Sequence, residues 1–325
     1  MKTHTLLKNT LRTIATAGLA LTVLSAQALT VSPARAELAG DPGQTISDSF
    51  IVINEQNVDQ TFYTSVENFE SSGESGTPNF TNSKEGIPSW VKVEEKIVLK
   101  KGERVKIPYT ITIPANADAG GHFAAIFLST VPPSTQDGQV SVGAKTGMLI
   151  LLKVGGNVKE QGNLLSFVLK EGKKVLTSTP INFVYRFKND GNDRVQPVGT
   201  IVIKNTFGGE IARLDANKTT GNVLPGSVRR FDIRYGEKDA PAVAAPFLDH
   251  VRFQRDNFSF GMYTATIDLT FGAAGKASGD IVYYMFPWQL LSIIVVILLV
   301  IILVLLAAVK HYNKWIIKQA RASEK

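Results

Sequence analysis

The sequence predicts an all-β protein of two sandwich domains followed by a single transmembrane helix. Three observations predict it. A long uncharged apolar segment lies near the C-terminus, β-branched and aromatic runs divided by turn residues fill most of the chain, and a helix-period stretch of useful length is missing before the apolar segment. The chain has no cysteine, so its exported domains must be stable on their hydrophobic cores without disulfides.

The apolar segment begins at Leu290, ends at Val309 and carries no charge. At about 1.5 Å rise per residue it reaches roughly 30 Å, the thickness of the bilayer hydrocarbon. Trp288 and neighbouring aromatic rings precede it, as in an interfacial belt, and Lys310 opens a basic tail. We therefore predict a transmembrane helix over residues 285–309. The alternative, a buried core helix, needs a far larger soluble chain around it.

The two ends of the chain predict the orientation of this helix. Lys2, Lys8 and Arg12 precede a short Ala- and Leu-rich apolar run, and Ala28 closes an A-x-A cleavage site, so residues 1–28 are typical of a secretory signal peptide. A second possible cut follows Ala36. The basic tail, residues 310–325, indicates a cytoplasmic C-terminus. We expect a single-pass plasma-membrane protein with its N-terminus extracytoplasmic, whose lipid contact is this one helix.

The net charge of +7 divides into +3 from residues 1–28, +4 from residues 310–325 and zero from the chain between them. The high pI therefore reflects topology, and the composition does not indicate nucleic-acid binding.

The first predicted domain spans residues 29–156. Short strands alternate with turns, and at Val105–Ile113 the odd-numbered residues are apolar, as on the buried face of a strand. Six or seven such strands favour an immunoglobulin-like sandwich. The Ser- and Gly-rich residues 71–86 are expected to form an irregular loop. The predicted strands cover residues 44–54, 61–69, 91–100, 105–113, 122–131 and 139–154.

The pattern repeats over residues 157–284, which predicts a second immunoglobulin-like domain. Its first two strands are expected to form a hairpin around Glu171. The stretch around Pro241 fits no strand, and residues 272–276 are expected in a juxtamembrane linker. The predicted strands cover residues 163–169, 174–176, 181–188, 198–204, 211–214, 227–235 and 261–271.

Short motifs recur in order along both predicted domains: residues 31–38, Asp41-Pro-Gly43, Pro88-Ser-Trp90, 99–103, Ile113-Pro114, 118–126, 187–192, 197–201, 223–226 and 261–265. With these motifs the chain resembles the WxL-interacting proteins of Gram-positive cell surfaces. The likeness covers nearly all of residues 31–325 and consists mostly of turn and strand signatures. It implies peptidoglycan binding by the first domain, binding of surface or host proteins by the second, and kinship with periplasmic pilus chaperones.

Few side chains suggest a ligand site. Trp90, beside Pro88, fits core packing or a strand end, with ligand stacking as the alternative. His122 follows two glycines and fits a half-buried structural role better than a functional one. His250 has nearby carboxylates, but it and His122 are the only histidines between the signal peptide and the apolar segment, so we expect no metal site and no cofactor.

The sequence contains no G-x-S-x-G, H-E-x-x-H or Walker motif, and Glu94 and Glu95 are expected on opposite faces of a strand. We therefore expect a non-enzymatic surface protein that binds or scaffolds peptidoglycan, another wall polymer or surface proteins. Two alternatives remain open: a pilus-chaperone-like assembly factor acting by strand addition, and an accessory subunit of a membrane enzyme or transporter.

Overall fold

The computed structural model describes residues 29–132, 144–236 and 239–323. The predicted signal peptide, the first five residues of the strand predicted at 139–154 and the last two residues lie outside this part of the chain. The described residues fold into β-sheets, a short helix, a helix of ten residues and a long C-terminal helix, so the all-β prediction is confirmed. The chain forms two compact units, called here the first and second units.

Among the described residues, the first unit comprises residues 29–68, 82–116, 123–132 and 144–151. The strands of residues 29–154 build one sheet in the order β1-β3-β8-β6 and another in the order β2-β10-β9-β4-β5, with β7 paired to β4. Of these strands, β5 and the end of β4 are grouped with the second unit. The strands are β1 (Leu29–Ser32), β2 (Arg35–Gly40), β3 (Thr45–Asn54), β4 (Gln60–Ser72), β5 (Thr77–Thr81), β6 (Val91–Val93), β7 (Lys96–Leu99), β8 (Arg104–Thr112), β9 (Gly120–Ser129) and β10 (Lys145–Val154).

This strand order is the immunoglobulin order. The sheet β1-β3-β8-β6 corresponds to strands A, B, E and D, and β4, β9 and β10 correspond to C, F and G. The predicted alternation in β8 is also seen, since Ile107, Tyr109 and Ile111 are buried while Lys106 and Pro108 are exposed. Both sheets contribute to the core, because Phe50 of one sheet and Phe62 of the other are fully buried.

Two expectations for this region were wrong. Residues 71–86 are not an irregular loop: β4 continues to Ser72, turns, and returns as β5 before the four-residue helix α1 (Ile87–Trp90). Glycine at Gly73 and Gly76 supplies the positive φ of the turn, at 55° and 74°. The Ser- and Gly-rich composition therefore marked a hairpin. Glu94 and Glu95 lie between β6 and β7 instead of on opposite faces of one strand.

Among the described residues, the second unit comprises residues 69–81, 117–122, 152–236 and 239–323. Its sheets run β11-β13-β16 and β12-β18-β17-β14-β15, which again gives strands A, B and E opposite strands C, F and G. The strands are β11 (Gly162–Leu169), β12 (Val175–Leu176), β13 (Ile181–Asn189), β14 (Val198–Asn205), β15 (Glu210–Asp215), β16 (Val228–Tyr235), β17 (Gly261–Phe271) and β18 (Gly275–Met285).

Two expectations for the second unit were wrong. β11 and β12 form no hairpin, because β11 pairs with β13 while β12 pairs in parallel with β18 in the other sheet. Residues 272–276 are not a linker but the turn from β17 into β18, whose eleven residues pair along the whole of β17. β18 was not predicted because the first half of this strand consists mainly of small and polar residues. Its alternate residues face solvent, and only Tyr283 and Met285 are buried.

The structure also contains a helix that the sequence analysis missed, α2 (Phe247–Asp256), which follows the stretch around Pro241. It is short, and its single buried residue is Gln254, so it lacks the apolar stripe by which amphipathic helices are recognised. The last element is α3 (Trp288–Ser323), which begins three residues after β18 ends.

The core of the second unit lies between its two sheets and is aromatic. Tyr185 of β13 stacks on Phe231 of β16 with ring centroids 4.6 Å apart and planes at 6°. Phe187 meets Phe271 edge to face at 4.9 Å, which joins the two sheets. The buried Tyr185 hydroxyl donates to the carbonyl oxygen of Ala216 at 2.9 Å, so the polar end of this ring is satisfied.

Candidate functional site

The two predicted ligand candidates have ordinary structural surroundings. Trp90 is half-buried at the end of α1. His122 is half-buried at the start of β9, and its Nε2 lies 2.8 Å from the carbonyl oxygen of Asp118. His250 is half-buried on α2, and the described residues contain no group of three His, Asp or Glu that would hold a metal ion.

The predicted anchor residues all lie in α3. Trp288 begins the helix, Leu290 lies in its first turn, and Val309 and Lys310 lie further along it. Residues Trp288–Ile317 form a 30-residue stretch, and its most apolar 18-residue window has a mean hydropathy of 3.7 and is 0% buried. An exposed helix of this length and composition is a candidate membrane span. The helical stretch extends beyond the predicted end at residue 309.

The second unit has an open side between its sheets. Edge strand β15 of one sheet and edge strand β16 of the other border a groove of about 690 Å³. The lining carries five basic side chains, Arg213, Lys218, Arg229, Arg230 and Arg234, against the two acidic ones of Asp215 and Asp232. We call this feature the basic groove.

Most of these arginines have a carboxylate partner. Arg213 bonds Glu210 at 2.8 Å, Arg230 bonds Asp232 at 2.7 Å, and Arg234 bonds Asp239 at 2.6 Å. All three pairs are substantially exposed, so they are weakly held and readily exchanged for another anion. Excess positive charge and labile pairs make the groove suited to an anionic ligand.

Arg229 differs from the other arginines because the described residues offer its guanidinium no ion pair. Its Nη1 donates to the carbonyl oxygen of Asn222 at 2.8 Å, and its guanidinium carbon lies 5.3 Å from the centre of the Phe231 ring. Its Nε is buried, and none of the described residues gives it a hydrogen-bond partner. Burial lowers the pKa of this guanidinium from its ordinary value, because the charged form is poorly solvated there.

The hairpin between β4 and β5 illustrates how β16 accepts an acidic residue. The main-chain carbonyl of Glu74 accepts a 2.8 Å hydrogen bond from the N–H of Arg230. The Glu74 carboxylate accepts hydrogen bonds from Arg186 of β13, which lies opposite Arg230 in the sheet. The hydrogen bonds from Arg186 lower the pKa of the Glu74 carboxyl. One acidic residue thus satisfies both an outward main-chain donor and an arginine.

The bond to Glu74 also identifies which groups of β16 point away from its sheet. Main-chain groups alternate in direction along an antiparallel strand. Since the N–H of Arg230 points outward, those of Asp232 and Arg234 point the same way. The outer edge of β16 therefore presents donors and acceptors to an added strand beside a row of arginines.

A further polar site joins α2 to the start of α3. The buried Gln254 side chain donates to the Gln289 amide oxygen at 2.5 Å, and its own oxygen accepts the main-chain N–H of Leu290 at 3.0 Å. That N–H is among the first of α3, which have no partner inside their own helix. Gln254 therefore acts as a cap supplied from another helix.

Sequence reasoning identified neither the basic groove nor the Gln254 cap. Three of the groove arginines, Arg229, Arg230 and Arg234, lie on β16, and only the fold places Arg213 of β15 beside them. The pair Arg229-Arg230 within a predicted strand was the one available signal, since one of two adjacent strand residues must face inward. Gln254 gave no signal, because a glutamine in a polar helix is normally exposed.

No protein-family model matches the sequence, and no curated protein matches it. Among solved structures, the class 5 fimbriae chaperone CfaA aligns with 80% of this chain and 100% of its own, at 13% identity and a TM-score of 0.39. The Escherichia coli chaperone DraB aligns over 78% and 97% of the two chains, at 12% identity and a TM-score of 0.34. Likeness at this level carries no argument about function.

Proposed function

We propose that this chain is a single-pass membrane protein that binds an extracytoplasmic partner and catalyses no reaction. The carrying observation is α3, an exposed apolar helix long enough to cross a bilayer and attached directly to the last strand of the second unit. The aromatic residues before it and the lysines after it support an extracytoplasmic N-terminus and a cytoplasmic C-terminus.

For binding, the basic groove favours an extended acidic segment of another exported protein, added as a strand along β16. Three features support this partner. Main-chain groups of β16 point outward at the edge of its sheet, and the groove lining is net basic. In addition, the main-chain carbonyl of the acidic residue Glu74 already accepts a hydrogen bond from the outward N–H of Arg230, as an added acidic strand would. If the partner is a folded surface protein, the chain acts as a scaffold. If the partner is an exported subunit whose fold is completed by the added strand, the chain acts as an assembly factor.

Peptidoglycan binding, implied by the resemblance to WxL-interacting proteins, remains a prediction about the first unit. An anionic wall polymer would meet the same basic groove without needing the outward main-chain donors of β16. An acidic polypeptide would use both the basic side chains and the outward main-chain groups of β16, whereas an anionic wall polymer would use only the basic side chains. This difference distinguishes the two kinds of partner.

The topology is tested by single-cysteine variants, which the absence of native cysteine makes simple. Val198→Cys lies in the exposed part of β14, and Asn313→Cys lies in the exposed part of α3 beyond Lys310. On intact cells, a membrane-impermeant maleimide is expected to label the first variant, and to label the second only after lysis. The opposite pattern would overturn the orientation.

The binding mode is tested with the full chain in lipid nanodiscs. The probes are a synthetic peptide alternating Glu with Val, a matched Lys and Val peptide, and isolated peptidoglycan. We expect the acidic peptide alone to bind the basic groove. Asp232→Pro and Asp232→Ala both remove the Asp232 carboxylate, but only Asp232→Pro also removes the outward main-chain N–H. Asp232→Pro should therefore abolish binding of the acidic peptide, whereas Asp232→Ala should retain it. Equal binding by both variants would exclude strand addition at β16.

A further inference from the structure

One end of the second unit exposes an unusual number of large apolar side chains. Phe207, in the turn between β14 and β15, is 95% exposed, although phenylalanine is among the residue types most often fully buried. Phe258 and Phe260, between α2 and β17, are each more than half exposed. Together with three rings on or beside the helices, they form what we call the aromatic collar: Phe207, Phe247, Phe258, Phe260, Phe286 and Trp288.

The collar residues come from distant parts of the chain but lie at one end of one sheet. The start of β17 pairs with the end of β18, where Met262 lies opposite Tyr284. The Thr206 hydroxyl, next to Phe207, donates to the Met262 carbonyl at 2.9 Å. Phe260 lies 6.2 Å from Phe286, and Phe247 lies 6.0 Å from Trp288, measured between ring centres. The rings therefore surround the point where β18 leads into α3.

Local structure holds these rings outward. The Asn205 side chain accepts hydrogen bonds from the main-chain N–H groups of Phe207 and Gly209, which fixes the turn and leaves the Phe207 ring in solvent. The Gln254 side chain bonds both Gln289 and the N–H of Leu290, which fixes α2 to the root of α3. A rigid exposed array of this kind marks an interaction surface.

The composition of the collar favours lipid over protein as its partner. It adjoins the exposed apolar surface of α3, so the two form one continuous apolar region. Its rings are of the types that concentrate where bilayer meets water. Arg252 and Arg255 on α2 are largely exposed beside it, as suits contact with lipid phosphates. An apolar face continuous with a membrane span is most simply covered by the same membrane.

We propose that the aromatic collar lies in the outer interfacial layer of the bilayer, so that the second unit rests directly on the lipid. This proposal rests on the proposed function, because it requires α3 to span the membrane. The collar then sets the height of the basic groove and its direction relative to the membrane surface, which a flexible linker would leave undefined.

The test uses single-cysteine variants of the full chain in vesicles of phosphatidylcholine and phosphatidylglycerol, each labelled with an environment-sensitive fluorophore. Phe207→Cys and Phe260→Cys report on the collar. Val198→Cys is the matched control, because Val198 is as exposed as Phe260 but pairs with Thr270, roughly 27 Å along β17 from Met262. Val300→Cys reports on the middle of α3.

We expect both collar probes to emit at shorter wavelength, to resist aqueous iodide, and to lose most of their emission to lipids spin-labelled near the headgroup. Val198→Cys should behave as in water, and Val300→Cys should be quenched by lipids labelled at the chain end. Since Phe207 is so exposed, its replacement does not threaten the fold, and this variant keeps the test decisive if Phe260→Cys fails to fold.

The outcomes separate the two proposals. If the Val300 probe is quenched while both collar probes remain in water, α3 spans the membrane and the collar proposal is wrong. If the Val300 probe is not quenched by any lipid, the membrane anchor itself is wrong. Collar probes that are shielded from iodide but untouched by lipid quenchers would indicate a protein partner on the collar, which also overturns the proposal.

Discussion

The replacement Asn189→Ala tests whether buried asparagines hold the loops of the second unit together. Asn189 is fully buried at the end of β13. Its side-chain amide donates to the carbonyls of Asp193 and Val223 at 2.7 and 2.8 Å, and its oxygen accepts the N–H of Gly191 at 2.8 Å. Three chain segments therefore meet at one side chain.

The loss of unfolding free energy in Asn189→Ala depends on which main-chain groups lose their only hydrogen-bond partner. The Val223 carbonyl keeps a second bond, from the N–H of Val195 at 2.9 Å, so it remains satisfied. The Asp193 carbonyl and the Gly191 N–H each lose their bond to Asn189, and a buried orphan group costs about 1–3 kcal/mol. We expect a loss of about 3 kcal/mol, after allowing for partial access of water to the loop.

Hydrogen exchange on the full chain in nanodiscs, followed by mass spectrometry of peptides from β13 and β16, measures this loss. At 1.4 kcal/mol per tenfold change, about 3 kcal/mol speeds exchange by roughly a hundredfold. The control Asn163→Ala removes an exposed amide that bonds Asp190 at 2.7 Å and should change exchange by no more than about twofold. Exchange in Asn189→Ala within about threefold of the parent would refute the reasoning.

Three further predictions concern single contacts. Gly199→Ala places a Cβ 1.9 Å from the Asp268 carbonyl oxygen and should destabilise the second unit by about 3 kcal/mol in thermal unfolding, whereas Gly279→Ala, whose nearest neighbour is a Leu164 methyl group at 3.2 Å, should cost under about 1 kcal/mol. Gln254→Leu should speed hydrogen exchange in α2 about tenfold through loss of its bonds to Gln289 and Leu290, while the exposed control Arg252→Ala should not. Because Arg186 lowers the pKa of the Glu74 carboxyl, the stabilisation by this pair is complete above the ordinary carboxyl pKa and is lost as the pH falls through the lowered one. Pepsin should therefore cleave the β4–β5 hairpin faster as the pH falls below about 4 in the parent. Glu74→Gln should lose this dependence, relative to the exposed control Glu85→Gln, and an unchanged profile in Glu74→Gln would contradict the assignment.

Local patterns in the sequence were sufficient for much of the fold. The period-two alternation at Val105–Ile113 located β8 and its buried face, and the uncharged run starting at Leu290 located α3. Both are properties of neighbouring residues, because a strand buries alternate side chains and a membrane span excludes charge over its whole length. The repeated strand pattern likewise predicted two immunoglobulin-like domains.

Only the tertiary structure decided the pairing of strands and the positions of the binding surfaces. β12 pairs with β18 and not with β11. β18 was not predicted because it is stabilised by pairing with β17, and its small residues have low strand propensity of their own. Arg213 of β15 meets the arginines of β16 only when these strands assemble, and the rings of Phe207, Phe260 and Phe286 also come from distant segments. Sequence fixes which residues are apolar or charged, but which of them share a surface depends on contacts between segments far apart in the chain.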